Sequence, residues 1–381
     1  MKTTCCTSHS IPWSCTNSTE TAVRICTLLL PGSHSVPDII LHGPFPPPFG
    51  GVALHIIRLA EQLVERGFGV RGHSTAGVRH DLPWVRKEGF PSALQRTPVH
   101  LHTDEGNARR TVLLGRVWTA LRRPYALTVH SFRHRPDLEH FDAALAGVYH
   151  NARAIIAISS ETRTALVERL KLNPDTISVI PSALPVSHWE QECPKPDLPN
   201  GWLQAKVRVL ANAGRVVRYN GADLYGIDTL LDAHNQLSSP DMALLIVLGE
   251  IVDNDLYRLY QERVQALRNV FLVHGLQSPL APVVHEAHIV VRPTRTEGGE
   301  SLTLVEAIED GVWAVGSDSV RRPPEAVLFK TGDAADLARV LHTVSTTDTT
   351  APAMPRNAVN AEAIIQLFTN RGLLPQVTAN Q

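Results

Sequence analysis

The sequence lacks the features of several protein classes. No window of about 18 consecutive apolar residues occurs, so the sequence predicts no membrane-spanning helix. The 36 basic and 37 acidic side chains leave a formal charge of −1, which argues against a general attraction to nucleic acid. The five cysteines form no C-x-x-C pair and have no histidine at zinc spacing. We therefore expect a globular protein with free thiols in the cytoplasm, and no nucleic acid partner.

Lysine is absent between Lys206 and Lys330, although arginine is frequent there. An anion bound by this part of the chain must be held by arginine, histidine or backbone N–H groups. Arginine suits a phosphate because its planar guanidinium donates two parallel hydrogen bonds.

What the sequence does contain is an alternation of short β-rich runs with helical patterns. After the first run, IILHG, apolar residues recur at three- and four-residue spacing, and Gly67 stands where that helix should end. A second series begins after a proline-rich, aperiodic stretch at 183–205. Such alternation predicts parallel sheets covered by helices on both faces. The predicted fold class is therefore α/β, with two Rossmann-like parallel-sheet domains that face each other across a cleft.

The same patterns set the domain boundaries. Residues 1–36 form a polar extension of unknown use, which we interpret as a flexible tail. The other predicted segments are a first Rossmann-like domain at 37–182, a linker at 183–205, a second Rossmann-like domain at 206–345, and at 346–381 a flexible segment followed by a helix that returns to the first domain.

A glycine pair follows the first predicted strand. Gly50 and Gly51 begin the first helix, and open parallel sheets bind ligands at the carboxyl ends of their strands. Free N–H groups and the positive end of the helix dipole favour a phosphate at this position. The alternative is that the two glycines only allow a tight turn.

The stretch VVRPTRTEGGESLTLVEAIEDG is the richest in candidate chemistry. A strand ends near Arg292, an acidic glycine-rich loop follows, and a helix begins near Leu302. Backbone N–H groups there can hold a diphosphate, and a carboxylate can accept hydrogen bonds from sugar or ribose hydroxyls. The alternative is ordinary helix capping by Ser301 beside a solvated acidic loop. The candidate residues are Arg292, Glu297, Glu300, Ser301, Leu302, Thr303 and Glu306.

The combination of motifs resembles the GT-B nucleotide-sugar glycosyltransferases of family 4, from residue 38 to about 345. The segments that carry the resemblance are PFGGVALHIIRLAEQLVERGFGV, TVHSF, IIAISSETRTAL, ISVIPSALP, GRVVRYNGADLYGIDTLLDA, VVRPTRTEGGESLTLVEA and SDSVRRPPEAVLFKTGDAADL. The second-half segments are similar to a bacterial branch associated with polysaccharide assembly.

The resemblance implies an activity and a site. It implies transfer of a sugar from a nucleoside diphosphate to a saccharide or lipid-linked saccharide, with retention of configuration and without a metal or other cofactor. The first domain would hold the acceptor and the second the donor. His130 would contact the donor sugar as a hydrogen-bonding group, while Gly50, Gly51, Ser301, Leu302, Thr303 and Glu306 would hold the rest of the donor.

Two departures from the family pattern concern the donor site. Family members carry two glutamates separated by seven residues, but counting back from Glu306 reaches Gly298, with Glu297 and Glu300 on either side. We choose Glu300 as the catalytic carboxylate, and Glu297 is the alternative.

The second departure is a missing lysine. The family pairs an arginine, matched here by Arg215, with a lysine a few residues later, where this chain has Asn220 or Tyr225. We expect Arg292 and Arg322 to substitute for it. The alternative for both departures is loss of activity.

Two weaker patterns concern a metal site and a membrane contact. His100 and His102 alternate on a predicted strand, but no carboxylate or cysteine follows at metal-binding spacing, so we expect no metal site. The helix within residues 109–123 has Arg109, Arg116 and Arg123 on one stripe and apolar residues on another. It can lie on an anionic inner membrane surface, or its apolar side can simply face the core.

Two rival functions remain open from the sequence. The first is another enzyme on the same scaffold, an epimerase of sugar nucleotides or a phosphorylase, because a fold does not dictate a reaction. The second is a non-catalytic partner protein, which would bind no nucleotide.

Overall fold

The computed structural model of the protein describes residues 37–46, 49–75, 82, 84–87, 96–276, 278–347, 351 and 359–376. The predicted extension at 1–36 lies outside these residues, as does most of the segment between 348 and 358.

The first domain is built on a seven-stranded parallel sheet. Its strands are β1 (Ile39–Gly43), β2 (Val70–Ser74), β3 (Val85–Lys87), β4 (Val99–Thr103), β5 (Tyr125–Val129), β6 (Ala154–Ala157) and β7 (Ile177–Val179), in the spatial order β3-β2-β1-β4-β5-β6-β7. Its helices are α1 (Gly51–Glu65), α2 (Ala108–Ala120), α3 (Asp142–Asn151) and α4 (Ser160–Leu170). Helix α1 ends as predicted, because Gly67 adopts a φ of +83° and its N–H bonds to Val64 O.

The second domain has a six-stranded parallel sheet. Its strands are β8 (Val207–Val216), β11 (Met242–Ile251), β12 (Val270–His274), β13 (Ile289–Arg292), β14 (Trp313–Ser317) and β15 (Val327–Phe329), in the order β12-β11-β8-β13-β14-β15. A small hairpin follows β8 and consists of β9 (Arg218–Tyr219) and β10 (Ala222–Asp223). The helices of this domain are α7 (Ile227–Leu237), α8 (Asn254–Ala266), α9 (Ala281–Val284), α10 (Leu302–Glu309) and α11 (Ala334–Ser345).

The predicted linker contains two short helices, α5 (His188–Glu192) and α6 (Asn200–Leu203). These helices were not predicted, because each spans only about one turn and is too short to produce a helical pattern in a proline-rich sequence. Helix α5 begins with a capping box, in which Ser187 and Glu190 each bond to the other's backbone N–H.

The last helix, α12 (Val359–Asn370), returns to the first domain and packs against α1. Ile364 and Phe368 are almost wholly buried in the first-domain core. Burial of an aromatic or aliphatic side chain of this size contributes about 1.5–3 kcal/mol, so α12 is an integral part of that domain.

The architecture confirms the predicted fold class of two parallel α/β domains. Central strands have apolar residues on both faces, as strands covered by helices on both sides require. Among the described helices, none combines the length and the apolar composition needed to cross a bilayer.

Candidate active site

Two helix N-termini face each other where the domains meet. Helix α1 of the first domain begins at Gly51, and helix α10 of the second begins at Leu302. A Cβ placed on Gly51 would lie 3.5 Å from Leu302 Cδ1. The positive ends of two helix dipoles therefore point into the same part of the cleft, which favours an anion there.

The α10 terminus keeps its N–H groups available. Ser301 precedes the helix but its side chain makes no capping hydrogen bond, whereas its carbonyl accepts from Leu304 and Val305 N–H. Within the described part of the chain, no hydrogen bond is made by Leu302 or Thr303 N–H. Capping by Ser301, the alternative considered from the sequence, is therefore not what this residue does. Gly50 similarly precedes α1 with no side chain to cap it.

Arg292 and Arg322 converge on one buried carboxylate. Arg292 Nε donates to Glu297 Oε1 at 2.7 Å, and Arg322 Nη1 donates to Glu297 Oε2. Arg292 Nη1 also donates to the carbonyl of Asn212 at 2.8 Å, and its guanidinium lies 4.8 Å from the centre of the Tyr225 ring. Arg322 Nε donates to the Ser317 carbonyl. The triad lies at the carboxyl ends of β13 and β14, beside Asn212 in the middle of β8, and has a net charge of +1.

The two arginines also fix the protonation state of Glu297. Burial alone would raise the pKa of this carboxyl, but Arg292 and Arg322 lower it below its usual range. Both carboxylate oxygens are occupied by the guanidinium groups, so Glu297 orients the arginines rather than presenting a free carboxylate to the cleft.

Glu300 has a different environment. It is partly buried, and the burial raises the pKa of its carboxyl, an effect that Arg321 opposes. Among the described residues, no side chain or backbone group donates a hydrogen bond to it. Of the two candidate carboxylates in the loop, Glu300 is therefore the one with oxygens available for a ligand.

Arg215 lies at the end of β8 with its side chain exposed, and its Nε is 3.0 Å from Glu250 Oε2. Burial and the neighbouring Glu105 raise the pKa of Asp104, a first-domain residue, while Arg215 is among the groups that lower it. The charge of Arg215 thus acts across the cleft.

Glu306 is buried and paired with the other domain. Arg58 Nη2 of α1 donates to Glu306 Oε1 at 2.5 Å, and the same guanidinium makes two hydrogen bonds to Glu190 of α5. Burial raises the pKa of Glu306, although Arg58 acts against it. Arg58 and Glu190 were not predicted as site residues from the sequence. Arg58 lies in the segment that contains the glycine pair, but nothing in that pattern gives it a role, and only the returning linker brings Glu190 to α1.

His130 directly follows β5, at the carboxyl end of the first-domain sheet. Its ring contacts His55 and His102 of the first domain, with Nε2 3.2 Å from His102 Nδ1. These contacts lie within the first domain, and the expected contact between the His130 ring and a donor sugar stays a prediction. It is the backbone that meets the second domain, since a Cβ on Gly298 would lie 2.2 Å from His130 O.

The basic stripe of α2 is smaller than expected. Arg109 and Arg116 are exposed, but Arg123 is buried and its Nε donates to Thr97 O at 2.7 Å. The helix ends at Ala120, and the turn that follows directs Arg123 back to the sheet. Arg123 therefore does not belong to a surface that can contact a membrane.

Comparison with known families decides the identity of the chain. Residues 99–188 match the model of "Glycosyltransferase Family 4", and residues 208–346 match that of "Glycosyl transferases group 1". The chain is a family 4, group 1 glycosyltransferase. A comparison with curated proteins gives no match for this glycosyltransferase.

Solved structures share the GT-B fold of this glycosyltransferase. HepE of Anabaena in complex with UDP-glucose aligns with a TM-score of 0.60 at 16% identity, over 88% of this chain and 98% of that one. The catalytic domain of starch synthase IV from Arabidopsis thaliana, bound to ADP and acarbose, aligns with a TM-score of 0.61 at 12% identity, over 88% and 99%. A glycosyltransferase from Rickettsia africae aligns with a TM-score of 0.58 at 14% identity, over 89% and 96%.

Proposed function

We propose that this glycosyltransferase moves a sugar from a nucleoside diphosphate to a saccharide or lipid-linked saccharide acceptor during polysaccharide or glycoconjugate assembly. The observation that carries the proposal is the pair of uncapped helix N-termini at Gly51 and Leu302, which face one cleft beside the Arg292–Glu297–Arg322 triad. Helix N-termini and arginine are the groups that bind a diphosphate in a chain segment without lysine.

In this proposal the second domain holds the donor. The N–H groups of Leu302 and Thr303 bind the diphosphate together with the net charge of Arg292 and Arg322. As the bond between the sugar C1 and the diphosphate oxygen breaks, negative charge grows on the leaving group, and these fixed donors stabilise it without reorganisation. No metal ion is needed for this step, because the positive charge comes from the protein. Arg215 adds a more exposed charge on the same side.

The donor sugar then lies between the domains. Glu300 accepts hydrogen bonds from its hydroxyls, Glu306 binds the ribose, and His130 contacts the sugar from the first domain. The acceptor hydroxyl oxygen bonds to C1 on the face that the diphosphate leaves, which retains the configuration, and the hydroxyl proton passes to the departing diphosphate oxygen as the bond between C1 and that oxygen breaks. Closure of the cleft keeps out water that would otherwise hydrolyse the donor.

A lipid-linked acceptor would lie at the inner surface of a membrane, and α2 offers a contact for it. Leu113 is 64% exposed, with Arg109 and Arg116 exposed on neighbouring turns. An exposed apolar side chain among cations suits an anionic lipid surface. The proposed contact excludes Arg123.

Nucleotide binding is the direct test. The protein is titrated with UDP, ADP and GDP by calorimetry, and then with the matching nucleotide sugars and a set of saccharide acceptors. We expect one nucleotide to bind each chain and sugar transfer to occur only with an acceptor. Release of an altered sugar without an acceptor would instead indicate an epimerase. Failure of all three nucleotides to bind folded protein would refute the proposal.

A further inference from the structure

Three histidines of the first domain form a buried cluster that the proposed transfer step does not explain. His55 lies on α1, His102 on β4 and His130 after β5, and we refer to them as the histidine cluster. The ring centres of His55 lie 5.3 Å from His102 and 5.2 Å from His130. One nitrogen of each ring can be chosen so that all three lie within 4.8 Å of one another.

His55 is oriented by a backbone carbonyl. Its Nδ1 lies 2.8 Å from Ser182 O, and because a carbonyl only accepts, Nδ1 carries the proton. The other nitrogen, Nε2, therefore presents a lone pair, and it is buried without a hydrogen-bond partner among the residues that the structure describes. A histidine whose second nitrogen donates to a carbonyl is the usual arrangement of a metal ligand.

His102 and His130 complete the geometry. His102 Nδ1 and His130 Nε2 are 3.2 Å apart, and no group in the described ranges bonds to the buried His102 Nε2. Two nitrogen ligands at about 2.0–2.1 Å from a tetrahedral zinc ion lie about 3.3 Å from each other. The observed separation therefore suits two ligands of one cation as well as it suits a hydrogen bond.

All three rings are buried, with exposed fractions of 1% for His55 and 3% for His102, so an ion held by them would be shielded from bulk water. His130 is the most exposed of the three at 9%, and its backbone is the part of the cluster that meets the second domain.

We propose that the histidine cluster binds one divalent transition-metal ion of the class that prefers imidazole, such as Zn²⁺, with water as the fourth ligand. The ion is not part of the transfer step. Because His130 is a sugar contact in the proposed function, and this consequence rests on that function, the bound ion inhibits transfer by occupying the His130 ring.

The test measures binding separately from activity. Protein stripped with EDTA is titrated with Zn²⁺ in competition with a chromophoric chelator, and with Co²⁺ while visible absorption is recorded. We expect one ion per chain, intense tetrahedral Co²⁺ bands and a raised melting temperature. His55→Gln and His102→Gln should each weaken Zn²⁺ binding at least tenfold while the circular dichroism spectrum is unchanged.

Two controls separate the cluster from other sites. A second group of side chains whose possible ligand atoms lie close together consists of Glu61, Glu65 and His188. The variant His188→Gln tests whether that group binds the ion instead. His150→Gln removes an exposed histidine of α3. Loss of binding in His188→Gln with retention in His55→Gln overturns the proposal. So does the absence of tetrahedral Co²⁺ bands in the unmutated protein, a result that does not depend on whether any variant folds.

Inhibition is recorded last, as transfer with and without Zn²⁺. If the ion binds but no transfer is found under any condition, the metal site stands and the proposed function fails. If transfer occurs and no ion binds, the proposed function stands and the metal site is refuted.

Discussion

Arg58 of the first domain donates a hydrogen bond from Nη2 to Glu306 Oε1 of the second domain at 2.5 Å, across 248 positions of sequence. Both side chains are almost fully buried, and Glu190 provides a second carboxylate for the same guanidinium. The three groups together have a charge of −1 if both carboxyls are ionised. Arg58 is thus the cation that allows two carboxylates to lie in the interior where the domains join.

Arg58→Met should therefore destabilise the protein severely. It leaves Glu190 and Glu306 buried without a cation, and loss of one partner from a buried pair costs about 3–5 kcal/mol. The matched control is Arg66→Met at the C-cap of the same helix. Its ion pair with Glu362 is partly solvent-exposed, so this variant should change the free energy of unfolding by about 1 kcal/mol or less. Urea denaturation measures both variants. Equal losses of unfolding free energy in the two variants would show that the buried interdomain pair stabilises the protein no more than the pair of Arg66.

Glu306→Gln tests the proposed ribose contact. Oε1 faces Arg58, so the ligand would use the other oxygen, and replacing the carboxylate should weaken nucleotide binding by roughly 1–3 kcal/mol, the usual value for a hydrogen bond to a charged group. Glu309→Gln, one turn later on α10, serves as the control and should bind nucleotide like the unmutated protein. Calorimetry on folded protein measures both. An unchanged affinity in Glu306→Gln would remove this residue from the donor site.

The fold class could be predicted from the sequence because each helix and strand has a local sequence pattern of its own. The apolar spacing of α1, the glycine at its end and the strand runs are local patterns, and so is the returning helix α12. The arrangement of the candidate site was harder to predict. Whether Glu297 is free or paired depends on how the loop at 293–301 folds back on Arg292 and on where the chain after β14 places Arg322. No sequence spacing specifies either position.

The interdomain contacts were not predictable from any one segment. Arg58 lies within the segment PFGGVALHIIRLAEQLVERGFGV, whose helical pattern gives it no role, and its partners come from a linker and from the other domain. His55 likewise joins a group of possible metal ligands only because the fold places β4 and β5 beside α1. These are relations between distant residues, so a single sequence could not show them.

Glu300→Gln and Glu297→Gln should fail in different ways. Glu300 has a carboxylate with no donor among the described residues, so its amide variant should lower kcat with little change in melting temperature. Glu297 neutralises two buried arginines, so its amide variant should lower the melting temperature as well. Transfer assays with thermal denaturation separate the two. If only Glu297→Gln abolished transfer, the choice of Glu300 would be incorrect.

His130→Ala should lower turnover more than nucleotide affinity. The proposed contact is with the transferred sugar and strengthens toward the transition state, whereas the nucleotide is held by the second domain. The assay is run with EDTA so that metal binding does not contribute, and His140→Ala, an exposed histidine, is the control. Equal losses in kcat and in nucleotide affinity would point to a folding defect.

His234 makes stability depend on pH. Burial lowers its pKa, and its bond to the Arg268 carbonyl opposes the shift. The unfolded chain therefore binds a proton at this residue more readily, so stability is full above about pH 6.5 and falls as the pH decreases toward the folded pKa. His234→Gln should remove up to about 1.4 kcal/mol per pH unit of that dependence. Urea titrations at pH 7.5 and 5.5 measure it. The same slope in His234→Gln as in exposed His150→Gln would contradict the assignment.

Gly298 has a consequence for how the loop can evolve. A Cβ there would come 2.2 Å from His130 O and 2.7 Å from Ser131 Cβ, and its own carbonyl accepts from Ser159 and Thr162 hydroxyls at 2.8 and 2.9 Å. A carboxylate placed at this position to restore the family spacing would act as a wedge between the domains. Because Gly298 has no side chain, the two domains come into close contact here, and any larger residue at this position would require the opposing backbone at His130 to move away first.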